Sequence, residues 1–165
     1  MITLVRLALV ALLCGALFAP LASTWLVFGV AALAFSLDGV DGWLARRTGL
    51  TSDFGARFDM ETDSALAAVL ALWLISGGMT GLEILVLGFA RYAFVLAGSM
   101  VPKLTADLPP SFRRKAVCVV QIATLLVLLF PISPEHWAPW FSFGAALLLA
   151  WSFAVDIRWL LRHGA

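Results

Sequence analysis

The chain has 165 residues and a formal net charge of +1, with 62% apolar and 13% charged residues. Mean hydropathy is +1.00. A water-soluble domain carries about 25% charged and about 45–50% apolar residues, so composition excludes an ordinary soluble fold and points to one integral membrane domain over residues 1–165.

A membrane-crossing helix needs about 20 mostly apolar residues, with about 17 as a lower limit. Six segments qualify. The first covers residues 3–19 and stops at Pro20; the second covers 21–44 and runs into an acidic stretch. The third covers 59–82, apolar from Ser64 onward, with a break expected at Gly77-Gly78. The fourth, fifth and sixth cover 84–101, 115–130 and 137–155, the first two of these ending at Pro102 and Pro131. Proline and glycine mark nearly every boundary, as they do where helices must stop. The expected fold is an all-α membrane protein of six transmembrane helices around a polar cavity. The opening 23 residues also fit a cleaved signal peptide, a rival to retention of the first span.

Charge placement orients these spans. Arg46, Arg47 and Arg57 fall between spans two and three; Lys103, Arg113, Arg114 and Lys115 fall between four and five; Arg158 and Arg162 follow six. The opposite connections hold Glu83, Glu135 and His136 and no Lys or Arg. Positively charged connections stay in the cytoplasm, so the acidic stretch and both termini face that side. Cys14 and Cys118 lie in apolar runs at no metal-like spacing and read as packing residues.

Six of the ten acidic residues lie between Ser36 and Ala65. Asp38 and Asp41 are three apart at the end of span two, and Asp59 and Asp63 are four apart at the start of span three. Both spacings put side chains on one helix face. Two antiparallel helices joined by the short turn "RTGLTSDFG" can then aim four carboxylates into one gap. Each costs about 2.5–3.5 kcal/mol at membrane depth, and together they repel. Divalent cations compensate, and an all-oxygen donor set suits hard ions such as Mg²⁺, Mn²⁺ or Ca²⁺. Gly39, Gly42, Ala45, Gly49 and Gly55 leave the helix ends bare enough for a bulky ligand, while Arg46 and Ser52 offer donors to phosphate.

The stretch reads Asp38-x2-Asp41-Gly42-x2-Ala45-Arg46-x8-Gly55-x3-Asp59-x3-Asp63. It resembles the signature of the CDP-alcohol phosphatidyltransferases at every fixed position. Eight specified residues, each at average usage of about 5–8%, match by chance on the order of once in a billion starting points. The resemblance implies two divalent ions, Mg²⁺ or Mn²⁺, held by Asp38, Asp41, Asp59 and Asp63, with Asp63 also the base toward an acceptor alcohol. It implies that Gly42, Ala45, Arg46, Ser52 and Gly55 border the CDP-lipid, together with Thr3 and Arg6 of a Thr-x2-Arg pattern in the first helix. It further implies CDP-diacylglycerol and an alcohol as substrates, a lipid surround, a homodimer, no nucleic acid partner, and a place in the bacterial inner membrane. The acceptor remains open among several alcohols, with glycerol 3-phosphate placed first.

Outside that stretch, Arg91 lies mid-span, where an ionisable side chain is a functional candidate by default. It either binds an acceptor phosphate or pairs with a carboxylate. Arg113, Arg114 and Lys115 either bind the acceptor or anchor the cytoplasmic face. Gln121 is expected to bond between helices, and Asp53 and Glu61 read as surface charges. The alternative function is a cation transporter or channel using the acidic cluster as an ion site; it calls for acidic residues spread along several spans, whereas here they gather at one end.

Overall fold

The structure is a computed structural model. It describes residues 2–19, 23–48, 53–78, 81–105, 111–131 and 137–163; within these, the side chains at 2, 40–48, 53, 54, 56, 102 and 105 are not described. The described residues form six α-helices: α1 (Ile2–Ala16), α2 (Thr24–Thr48), α3 (Asp53–Ser76), α4 (Leu82–Met100), α5 (Phe112–Leu129) and α6 (Ala138–His163). A short 3-10 turn, Pro102–Thr105, follows α4. The all-helical architecture expected from hydropathy is present.

Local chemistry sets the ends. The Ser23 hydroxyl accepts from the Leu26 amide at 3.3 Å, a side-chain cap on an amide that the first turn of α2 cannot satisfy. At the end of α3, Gly77 and Gly78 bond back to the Trp73 and Ile75 carbonyls. Gly78 has φ of +93°, the left-handed closure that glycine adopts without a steric penalty. The break anticipated at this pair therefore ends the helix at Ser76. At its other end α6 continues past residue 155 to His163. Hydropathy falls at Asp156, but nothing there interrupts the backbone ladder.

α3 is the central element. Leu66, Ala67, Ala68, Val69, Leu70 and Ala71 are all buried, so more than a full turn is enclosed on every side, as befits a helix that is apolar all round. It packs on α1, α4 and α5; α2 packs on α1 and α5, and α6 on α4 and α5. Alanines let the neighbours approach closely. A Cβ built on Gly88 of α4 would stand 2.4 Å from the Ala71 Cβ. The two helices carrying the aspartates thus have α1 and α5 as shared neighbours, which is more than the simple helix–turn–helix pair expected from the sequence.

By length and composition, α4 and α6 are the helices among the described residues that qualify to cross a membrane; the apolar stretches Thr3–Ala16 and Thr24–Gly39 are shorter. Charge limits two of the other candidate spans: α3 devotes one end to aspartates, and α5 opens on Arg113, Arg114 and Lys115. The outer faces of α4 and α6 expose large apolar side chains, among them Leu96, Met100, Trp140 and Trp151. Apolar exposure on this scale suits hydrocarbon better than water.

Candidate active site

Three aspartates expected at the site converge. Asp38 comes from α2, and Asp59 and Asp63 come from α3. One carboxylate oxygen from each lies within 4.8 Å of the others. The four-residue step between Asp59 and Asp63 is one helical turn, so α3 presents both to the same side. Their side chains are 36% and 14% exposed, with Asp38 at 19%, which makes Asp63 the deepest. The side chains of Asp41, Gly42, Ala45 and Arg46, on the last turns of α2, and the whole of Ser52 lie outside the described residues. Gly55 sits half-buried in the first turns of α3.

A fourth participant comes from α1. The Arg6 guanidinium is 1% exposed and reaches all three carboxylates: Nη1 stands 3.0 Å from Asp38 Oδ1 and also donates to Asp59 Oδ1, and Nη2 donates to Asp63 Oδ1. Its Nε is buried and has no partner among the described residues. Thr3, one turn earlier, is half-buried and engaged in an interaction of its own. The family resemblance implies CDP-lipid binding for Arg6; the geometry adds that it is the counter-ion of the aspartates. Asp38 and Asp63 alone outnumber it, and neither meets a second cation among the described residues.

Hard cations fit this donor set. The oxygens are close enough to share an ion, all are carboxylate, and an excess of negative charge over Arg6 is already in place.

The basic residues considered for the acceptor lie elsewhere. Arg91 Nη2 pairs with Glu61 Oε1 at 2.5 Å, tying α4 to α3, and its Nε is buried without a partner among the described residues. Glu61, expected to be an ordinary surface charge, is thus one half of an interhelical pair. Arg113 pairs with Asp156 of α6 at 2.5 Å, donates to the Ser152 carbonyl at 2.7 Å and to the Ser152 hydroxyl, and lies 5.7 Å from the Trp151 ring centre. Arg114 is half-buried with a partner of its own, and Lys115 is exposed. Gln121 donates to the Leu87 carbonyl, the interhelical bond expected of it. Sequence reasoning missed Asp156. Its signal was a carboxylate one turn after Ser152 at the end of an apolar run, which hydropathy reads merely as the end of a span.

Comparison with known proteins decides the family. The family profile described as CDP-alcohol phosphatidyltransferase matches residues 1–155. The chain belongs to that family. It is therefore a phosphatidyltransferase of phospholipid synthesis. Curated relatives from two strains of Mycobacterium tuberculosis, each named a probable phosphatidylglycerophosphate synthase, are 28% identical over 165 residues, covering 94% of this chain and 77% of theirs. The matched residues include α1 through nearly all of the apolar part of α6, so Arg6 and every aspartate of the cluster fall within the CDP-alcohol phosphatidyltransferase region.

Proposed function

We propose that this CDP-alcohol phosphatidyltransferase moves the phosphatidyl group of CDP-diacylglycerol onto glycerol 3-phosphate and releases CMP. The observation that carries the reading is the convergence of Asp38, Asp59 and Asp63 within 4.8 Å in a chain of this family. The relatives' printed name supports glycerol 3-phosphate as the acceptor.

Asp38, Asp59 and Asp63, with Asp41 beside them in sequence, would hold two divalent ions, Mg²⁺ or Mn²⁺, which when bound supply charge neutralisation at the diphosphate and at the departing CMP. Asp63, the least exposed of the three, takes the proton from the acceptor hydroxyl. The freed oxygen forms a bond to the lipid-bearing phosphorus as the bond from that phosphorus to CMP breaks. Arg46, Ser52, Gly42, Ala45 and Gly55 border the nucleotide. Transfer is direct.

The same reading has the domain, residues 1–165, crossing the bacterial inner membrane six times, with the aspartates toward the cytoplasm and a second copy as partner. Charge asymmetry between the connections and the apolar outer faces of α4 and α6 support it. The test is CMP release from CDP-diacylglycerol by purified protein, with the products weighed against a panel of alcohols. Glycerol 3-phosphate is expected to give the largest rate, chelation to stop it, and Mg²⁺ or Mn²⁺ to restore it. Turnover with a different alcohol alone would replace the acceptor; none with any would remove the reading.

A further inference from the structure

Arg6 and an incoming cation want the same carboxylates. Its two terminal nitrogens take the Oδ1 oxygens of Asp38, Asp59 and Asp63, and these carboxylates are also the group whose oxygens lie close enough to share an ion. A guanidinium and a divalent ion a few ångströms apart also repel strongly wherever water is scarce, and Arg6 is 1% exposed. A buried guanidinium does not shed its proton to escape the conflict; it must move or find another anion.

We infer that Arg6 is a resident counter-ion that gives up the three carboxylates to divalent cations and transfers its pairing to the diphosphate of the CDP substrate. This rests on the function proposed above. Three features of the site carry it further. Arg6 enters from α1, a helix that packs on both α2 and α3, so a small swing of a long side chain changes its partner without moving any helix. Its Nε is buried and has no partner among the described residues, leaving a donor that a planar fork can add when it meets phosphate oxygens. Finally, a guanidinium released from the aspartates in a buried site requires a replacement anion, and the diphosphate is the anion that arrives with the substrate.

The consequence is a linkage. Cations must displace Arg6 when they bind alone, and CDP-diacylglycerol gives Arg6 its alternative partner, so each ligand tightens the other by the same factor. The device disfavours cation loading until substrate is present.

The test is Mn²⁺ titration of the full chain in lipid nanodiscs, read by the electron paramagnetic resonance signal of free Mn²⁺, with thermal unfolding in parallel. Arg6→Gln is expected to bind Mn²⁺ alone about ten-fold more tightly than wild type. It should also unfold at lower temperature before Mn²⁺ is added and recover most of the loss afterwards. Unchanged or weaker Mn²⁺ affinity in Arg6→Gln would overturn the inference and make Arg6 an organiser of the ligands instead. The wild-type protein supplies an arm that does not depend on a variant folding: CDP-diacylglycerol in the nanodisc should tighten Mn²⁺ at least five-fold, and no change would overturn the linkage. Absence of saturable Mn²⁺ binding in both proteins would overturn the functional reading together with the inference.

Discussion

Two arginines, one buried and one half-buried, tie helices together in this bundle, and they sit in opposite electrostatic situations. Arg113 meets one carboxylate, Asp156, and also donates to both oxygens of Ser152. Arg6 is shared among three carboxylates, and one of its nitrogens has no partner among the described residues. The first arrangement is closed: one positive group, one negative group, and neighbouring oxygens that accept from the fork. In the second, Asp38 and Asp63 share Arg6 as their one cation among the described residues, so its own electrostatics call for further cations. A balanced buried pair reads as a brace between α5 and α6, and an unbalanced one reads as a site.

The largest effect that would sharpen this contrast is chemical. Asp63→Asn keeps the shape of the side chain and removes its capacity to accept a proton. CMP release is expected to fall by about a thousand-fold, within the range for loss of a general base, while Mn²⁺ and CDP-diacylglycerol binding largely persist. Near-normal turnover would remove Asp63 from the role of base.

The brace should respond in stability. Asp156→Ala leaves Arg113 partly buried without its counter-charge, and a cost of about 2–3 kcal/mol is expected, read by thermal unfolding in detergent. Adding Arg113→Met to an Asp156→Leu background should recover most of that loss, since an apolar pair of similar volume often replaces a buried ion pair without penalty. An equal loss in single and double variants would mean that the pair is no brace.

Packing around the central helix comes next. The methyl of Gly88→Ala would stand 2.4 Å from the Ala71 Cβ, so α4 must shift away from α3, costing about 1–2 kcal/mol. Ala71→Gly in the same chain should return most of it. Additive losses in the double variant would place the strain elsewhere.

The smallest effect belongs to Arg91 and Glu61. Glu61 is 52% exposed, and an exposed pair contributes about 0–1 kcal/mol. Glu61→Gln should therefore shift unfolding only slightly. A shift as large as that of Asp156→Ala would show that this pair is covered in the membrane, where it then belongs with the braces.

Much of the candidate site could be read from Ser36 to Ala65 alone. Helical spacing forces Asp59 and Asp63 onto one face of α3, and hard-ion chemistry follows from a set of carboxylates with no His or Cys among them. Helix ends were legible where a residue type carries its own geometry: the Gly77-Gly78 closure, Pro102 after α4, and Pro131 after α5. The true end of α6 was not, because a membrane boundary is a matter of solvation and a helix boundary is a matter of backbone bonding.

Local order therefore determined the all-helical architecture and the pairing of Asp59 with Asp63 on one face, since each depends on neighbours three or four residues apart; the approach of Asp38 from α2 was a matter of tertiary packing. Tertiary structure alone decided which cation meets which carboxylate. Arg6 reaches Asp59 and Asp63 across separations of 53 and 57 residues, Arg91 reaches Glu61 across 30, and Arg113 reaches Asp156 across 43. No periodicity encodes such pairings. They arise from which helices lie side by side and how far each is turned about its axis, and that is settled by packing the small residues of α3 against its neighbours.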